Sequence, residues 1–224
     1  MALISDADKV RLRADFAAMT RPVRLLFFTQ ASGAENCTNT RHVLDELPPL
    51  STQISIEAID IDTAPAVAAR YGIDRAPAVA LVGQTDTGAE RDSHIRFVGT
   101  PWGYEFLSLV RAILLVGGGP STLSADSLAR LARINTPMSM HVFSTPTCPQ
   151  CPRAVTLAHE IAFANPNITA YGVEATEFPD LARRYHVTGV PKTVINDQVE
   201  ILGAVPEDHF VEQTLAGFDA GRPA

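Results

Sequence analysis

Two continuous apolar runs, Val23–Thr29 and Met138–Ser144, read as strands buried on both faces. After each come a cysteine, a helix-like segment and a second strand-like run, over 54–61 in the first case and 168–173 in the second. Next come a short helix ending at Arg70-Tyr71 or Arg184-Tyr185, a proline, a third β-rich run, and a stretch closing on Phe97-Val98-Gly99 or Ile201-Leu202-Gly203. A final helix follows each, carrying Phe106 or Phe210. Ahead of the first set, Val10, Leu12, Phe16 and Ala17 recur at roughly helical spacing and predict a leading helix over 6–19 that covers one face of the first sheet.

The repetition is visible in the residues as well as in the pattern. Arg70-Tyr71-Gly72-Ile73-Asp74-Arg75-Ala76-Pro77 returns 114 positions later as Arg184-Tyr185-His186-Val187-Thr188-Gly189-Val190-Pro191, the mark of an internal duplication. Between the copies, Gly117-Gly118-Gly119-Pro120-Ser121 breaks regular structure as a linker, and Ser124 is placed to cap a helix over 125–134. The expected fold is therefore α/β, with two tandem thioredoxin-like units in the order β-α-β-α-β-β-α. They occupy residues 1–118 and 119–224, and each is a mixed four-stranded sheet flanked by helices.

Cys148-Pro149-Gln150-Cys151 sits where a strand gives way to an amphipathic stretch over 153–164. A helix start offers unpaired N–H groups and partial positive charge, which lower a thiol's pKa below its free value of about 8.5. Cys148 is thus read as the nucleophile. Cys151, one turn on, is read as the sulfur that resolves a mixed disulfide. Pro149 and Pro152 fall in the first turn, where a missing N–H costs nothing. Pro77 and Pro191 precede β-rich runs. In a thioredoxin-like unit such a proline is cis and faces the cysteine, leaving Val190 in the second unit to pair with an extended substrate segment, while Ala76 and Pro77 belong to the degenerate site of the first. Glu174, on the central strand of the second unit, is a candidate to take the proton from Cys151; the competing reading is a solvated strand charge. His42, His141 and His159 read as surface or core residues, and Trp102 as packing between the units.

Composition narrows the partners. A net charge of −7 over 224 residues leaves no basic face for phosphates, which argues against nucleic acid. Met1-Ala2-Leu3-Ile4 lacks a secretory start and no apolar segment is long enough to span a bilayer, so the expectation is a soluble cytoplasmic protein without a membrane partner. Three cysteines do not form a disulfide scaffold, and a metal would need a second ligand pair beyond Cys37 and scattered histidines, so no metal site is expected. No glycine fingerprint for a dinucleotide follows a strand, so no bound flavin or nicotinamide is expected either.

The segments Arg70 to Ala78, Phe97-Val98-Gly99-Thr100-Pro101, Phe143 to Pro152, Val173-Glu174-Ala175 and Val190-Pro191-Lys192 together resemble the protein disulfide oxidoreductases of heat-adapted prokaryotes, tandem glutaredoxin-like proteins. The resemblance implies dithiol–disulfide exchange on disulfide-containing proteins. It also implies electrons from a thioredoxin-reductase-like flavoprotein or a small thiol, with a peroxiredoxin among the acceptors. One departure stands out: the first half reads Cys37-Thr38-Asn39-Thr40, with Thr40 where that family carries its resolving sulfur, and a longer loop, Ala31 to Asn36, before it. Cys37 is open to three readings: a monothiol centre, a remnant in a unit that serves as scaffold, or a peroxide-sensitive bystander. Two rival functions stay open beside protein-disulfide reduction. One is an electron-relay module resembling the N-terminal tandem domain of alkyl hydroperoxide reductase flavoproteins; the other is a non-redox holdase or docking protein.

Overall fold

The computed structural model describes residues 4–31 and 34–221. Met1 to Leu3 and the Ser32-Gly33 portion of the loop before Cys37 lie outside the described residues. The chain runs α1 (Asp6–Phe16), β1 (Val23–Thr29), α2 (Ala34–Asp45), β2 (Ile54–Asp60), α3 (Pro65–Arg70), β3 (Ala78–Gln84), β4 (Glu90–Val98) and α4 (Glu105–Val116). It continues with α5 (Ala125–Leu131), β5 (Met138–Ser144), α6 (Cys151–Ala164), β6 (Ile168–Glu174), α7 (Pro179–Arg184), β7 (Lys192–Ile195), β8 (Val199–Leu202) and α8 (Glu207–Ala220).

Each half builds a four-stranded mixed sheet of the same order, β2-β1-β3-β4 and β6-β5-β7-β8. In each, the first pair is parallel and the remaining pairs antiparallel. The two sheets are fused. β4 pairs in parallel with β6, Ile95 against Ala170 through Val98 against Val173, so all eight strands form one sheet. No local pattern announced that seam.

Alternation divides the side chains between two layers. Leu25, Phe27, Val79, Ile95, Phe97, Met140 and Val142 join residues of α4, α6 and α8 in a single cluster that crosses from one half to the other. Leu26, Phe28, Ala80, Val98, Phe143 and Val173 face the opposite side with Tyr71, Leu181 and Tyr185. α4 packs directly on α6, so the halves share a helix layer as well as a sheet.

Three expectations are corrected in detail. The leading helix ends at Phe16 instead of residue 19 and packs on the 3₁₀ turn Pro48–Leu50, with Phe16 and Met19 entering the core. The helix begun by Ser124, whose hydroxyl accepts the Ser127 N–H, ends at Leu131 instead of residue 134. The glycine run is no slack linker. The amides of Thr20 and Arg21 both bond the Gly117 carbonyl, at 2.9 and 3.1 Å, and Gly118 has φ of 100°, with the site of a Cβ only 2.2 Å from Thr20 Oγ1. Only glycine fits that crossing without displacement. Among the described residues no helix is long and apolar enough to cross a membrane.

Candidate redox site

β5 delivers the chain to Thr145-Pro146-Thr147, and the Cys148 amide turns back to the Thr145 carbonyl at 3.1 Å. Pro149 and Gln150 are exposed, and α6 begins at Cys151 with Pro152 in its first turn. Cys148 and Cys151 form a disulfide, with an S–S distance of 2.07 Å. The Cys151 amide, one of the unpaired donors of the helix start, points at Cys148 Sγ from 3.2 Å. That N–H and the helix dipole favour negative charge on Cys148 once the pair is reduced. Cys148 keeps 9% of its surface exposed and Cys151 none, so an outside sulfur reaches the first and not the second.

The segment before β7 closes the site. Val190-Pro191 is cis, as is Ala76-Pro77 in the first half. The Val190 carbonyl oxygen lies 3.8 Å from Cys148 Sγ, which puts the backbone expected to dock a peptide beside the attacking sulfur. In both halves the proline carbonyl receives a glycine amide from the next strand's end, Gly99 to Pro77 and Gly203 to Pro191, at 2.9 and 2.8 Å.

The degenerate site differs from its expected layout. Cys37 lies within α2, not ahead of it, and is buried. The same 114-residue spacing that relates Ile54 to Ile168 relates Cys37 to Cys151. On that spacing Ala34 stands at the nucleophile's position, Cys37 at the resolving sulfur's, and Thr40 one turn further along. Thr40 is buried and its hydroxyl bonds the Asn36 carbonyl and the Thr100 hydroxyl, at 2.9 and 2.8 Å. The Thr100 amide in turn donates to Glu177, tying the silent site to the second half at 3.0 Å.

Glu174 is buried as alternation implied, but its oxygens are taken. Thr176 Oγ1 reaches both of them at 2.8 Å, and the amides of Thr176 and Glu177 add bonds of 3.2 and 2.6 Å. This carboxylate closes the turn after β6 and bonds neither sulfur. His141 is stacked between Tyr171 and Tyr185, with ring centroids at 4.9 and 5.5 Å, and burial lowers its pKa. His159 is fully buried and held at about 3, chiefly by desolvation. Trp102, expected to be packed, is 53% exposed; it lines a cleft of about 760 Å³ between the halves with Asn36, Asn39 and His42 on one side and Pro146 and Glu177 on the other.

The residue that sequence reasoning missed is Glu105, the first residue of α4. It is 4% exposed, neither carboxylate oxygen has a hydrogen-bond partner within ordinary geometry among the described residues, and burial pushes its pKa up to about 7, with Ser108 nearby pulling the other way. Its helix starts beside the active loop. The Tyr104 amide bonds the Pro146 carbonyl at 2.9 Å, and the site of a Cβ on Gly103, where φ is 60°, would be 2.3 Å from that same oxygen. A signal existed in the duplication, since Glu105 immediately precedes the matched Phe106. An acid at a helix start nevertheless reads as an ordinary favourable charge.

A thioredoxin-domain family model matches residues 138–216. Over 214 residues the chain is 27% identical to the F subunit of alkyl hydroperoxide reductase of Xanthomonas campestris pv. phaseoli, covering 94% of this chain and 36% of that protein. The corresponding protein of Pseudomonas aeruginosa is 34% identical over 133 residues, covering 59% of this chain and 25% of its own length. The chain thus spans only a quarter to about a third of these curated relatives. Among solved structures, the NTD_N/C domain of alkylhydroperoxide reductase AhpF from Enterococcus faecalis superposes with a TM-score of 0.85 at 30% identity, covering 93% of this chain and 98% of that one. A protein disulfide oxidoreductase from Aeropyrum pernix gives 0.86 at 26% identity, covering 98% and 96%.

Proposed function

We propose that this chain, which belongs to the family of tandem thioredoxin-like disulfide oxidoreductases, is an electron-relay module. It takes two electrons from a thioredoxin-reductase-like flavoprotein or a small thiol and hands them to the disulfide of a peroxiredoxin-class peroxidase, in a reducing cytoplasm. The observation that carries this reading is the single Cys148–Cys151 pair set beside a first half, residues 1–118, without a second dithiol, in a chain of which 93% superposes on the AhpF NTD_N/C domain.

The chemistry runs in two displacements. The Cys148 thiolate attacks one sulfur of the substrate disulfide, forming a mixed disulfide and expelling the first substrate thiolate. Cys151 then loses its proton to the Glu105 carboxylate and attacks Cys148. The Cys148–Cys151 bond forms and the second substrate thiolate leaves. Val190 aligns the substrate backbone, with Pro191, Pro149 and Gln150 forming the rim around the sulfur.

A second reading, broad protein-disulfide reduction, is favoured by the likeness to the Aeropyrum pernix protein and by the open rim at Pro149-Gln150. The two are separated by supplying a flavoprotein reductase and comparing acceptors. A relay module reduces a peroxiredoxin at least about tenfold faster than insulin; comparable rates support the broad reductase. Exchange by neither acceptor, with holdase activity surviving loss of both active cysteines, would return the chain to the non-redox reading.

A further inference from the structure

The seam between α4 and α6 carries more buried, unpartnered polar atoms than a packed helix pair tolerates. Glu105 Oε1 and Oε2, Ser108 Oγ, Thr156 Oγ1 and His159 Nδ1 all lie out of contact with solvent and, among the described residues, within hydrogen-bond geometry of no partner. Buried polar groups in native proteins are satisfied by protein or by ordered water in the great majority of cases. These orphans are not scattered. Ser108, Thr156 and His159 line one cavity of about 400 Å³, ample for several waters, whose other walls include Arg111, Glu160 and Thr122.

Contacts at the two ends of the seam fix its direction. The start of α4 is tied to the loop before α6, Tyr104 N–H to the Pro146 carbonyl, and the chain just past α4 is tied to Glu160 near the end of α6, so the two helices run the same way and begin at the same end. Their first residues are Glu105 and Cys151. Glu105 therefore stands at the level of the buried sulfur. Ser108, one turn below on the same face, is near enough to Glu105 to act on its titration while itself opening on the cavity. Further along, the cavity is lined by Arg111, Pro120 and Thr122, all of which are exposed.

We infer that the α4–α6 cavity is a water-filled proton path, in which Ser108, Thr156 and His159 hold a hydrogen-bonded chain between the Glu105 carboxyl and bulk solvent. This rests on the reading of Glu105 as the group that deprotonates Cys151. When Cys151–S⁻ closes the disulfide on Cys148, the proton left on Glu105 has no protein acceptor beside it, and it departs along this chain to solvent. On reduction by an incoming dithiol it returns the same way. His159 serves as a fixed acceptor. Its Nε2 is engaged by the Arg96 carbonyl at 3.2 Å, which orients Nδ1 as the lone pair on the path, and its low pKa keeps that ring neutral.

The charged groups around the path do not replace it. Glu160 is committed to Ser121 Oγ and to the amide and hydroxyl of Thr122, at 2.7, 2.6 and 2.9 Å. The Arg96 guanidinium is committed to Asp92 on its own strand, at 2.6 and 2.9 Å. Arg111 lines the cavity and is exposed to solvent. Ser108, Thr156 and His159 are thus positioning residues, acting on the sulfur only through Glu105.

The test follows the resolution step by stopped-flow, with the single Trp102 as reporter, in native protein and in Ser108→Ala, Thr156→Val and Thr156→Ser. The path predicts that Ser108→Ala and Thr156→Val slow resolution about tenfold at neutral pH and make it accelerate with concentration of a small buffer such as imidazole. Thr156→Ser should keep the native rate. In the native chain, mixtures of light and heavy water should give a curved dependence, the sign of several protons moving together. Native rates without buffer dependence in both hydroxyl-free variants, or a linear dependence in the native chain, would overturn the path. Glu105→Gln separates the two layers of the argument. If it slows resolution while the hydroxyl variants do not, the path fails and the base stands; if its pH profile matches the native one, the base fails and the path falls with it.

Discussion

Cys148 Sγ stands 3.8 Å from the carbonyl oxygen of Val190. On the proposed function, an extended segment pairing with the Val190 backbone would bring its own sulfur to Cys148, while Cys151 lies behind, covered. The asymmetry of exposure predicts that Cys148 attacks first and Cys151 second.

The first prediction concerns that order. Cys148→Ser abolishes exchange with protein disulfides, because the remaining sulfur cannot be reached. Cys151→Ser still attacks but stalls, accumulating a mixed disulfide that mass spectrometry detects and an added thiol releases. Cys37→Ser keeps turnover within about twofold, since its sulfur is buried and has no partner thiol beside it.

Glu105 links activity to stability. Its folded pKa of about 7 lies above the ordinary 4.5, so between those values the folded state retains a proton that the unfolded chain has released. Its contribution is complete below about pH 4.5 and is lost as pH rises toward 7, by up to about 3 kcal/mol. Glu105→Gln, neutral throughout, should raise denaturation midpoints above pH 7 relative to native protein and show no gain at pH 4. The same variant should flatten the pH dependence of exchange. A midpoint change that is equal at both pH values would dismiss the buried-charge account.

For Glu174 the expectation is the reverse. Replacing it with glutamine removes charge-assisted bonds to Thr176 and Glu177 and costs about 2 kcal/mol, read by denaturant titration. The pH profile of exchange should not move. Movement of the profile would restore the proton role read from the strand alternation.

Arg96 is almost wholly enclosed, its guanidinium held by Asp92, the Tyr71 carbonyl and the Ile95 carbonyl. Asp92→Ala leaves that cation unpaired and is expected to destabilise the protein by about 3 kcal/mol or more. Arg96→Met together with Asp92→Ala should recover part of the loss. A double variant weaker than the single would contradict this.

Much of the architecture was legible because the local signals agreed. Val23–Thr29 and Met138–Ser144 are strands with the bounds read from their apolar runs, since interior strands buried on both faces need continuous hydrophobicity. The duplication gave the second copy of everything, down to both prolines. What escaped reading depends on distant partners. The β4–β6 pairing has no signature in either strand. Glu105 looks solvated until α6 is laid across it, and Glu174 looks available until Thr176 folds back on it. The register of Cys37 was missed because Thr40, one turn on, is equally buried and offers the same helix face.

The seam joining β4 to β6 gives the first half, which carries no Cys-x-x-Cys, a mechanical task. β6 supplies the strand next to the one that carries the active loop, and its outer hydrogen-bonding edge is covered by β4 alone. A fragment starting near Thr122 would bare that edge together with the apolar side of α6, and such a surface recruits neighbouring chains. Excising the second half is thus expected to yield a sticky, self-associating polypeptide in place of a miniature oxidoreductase, with the first half serving it as a splint.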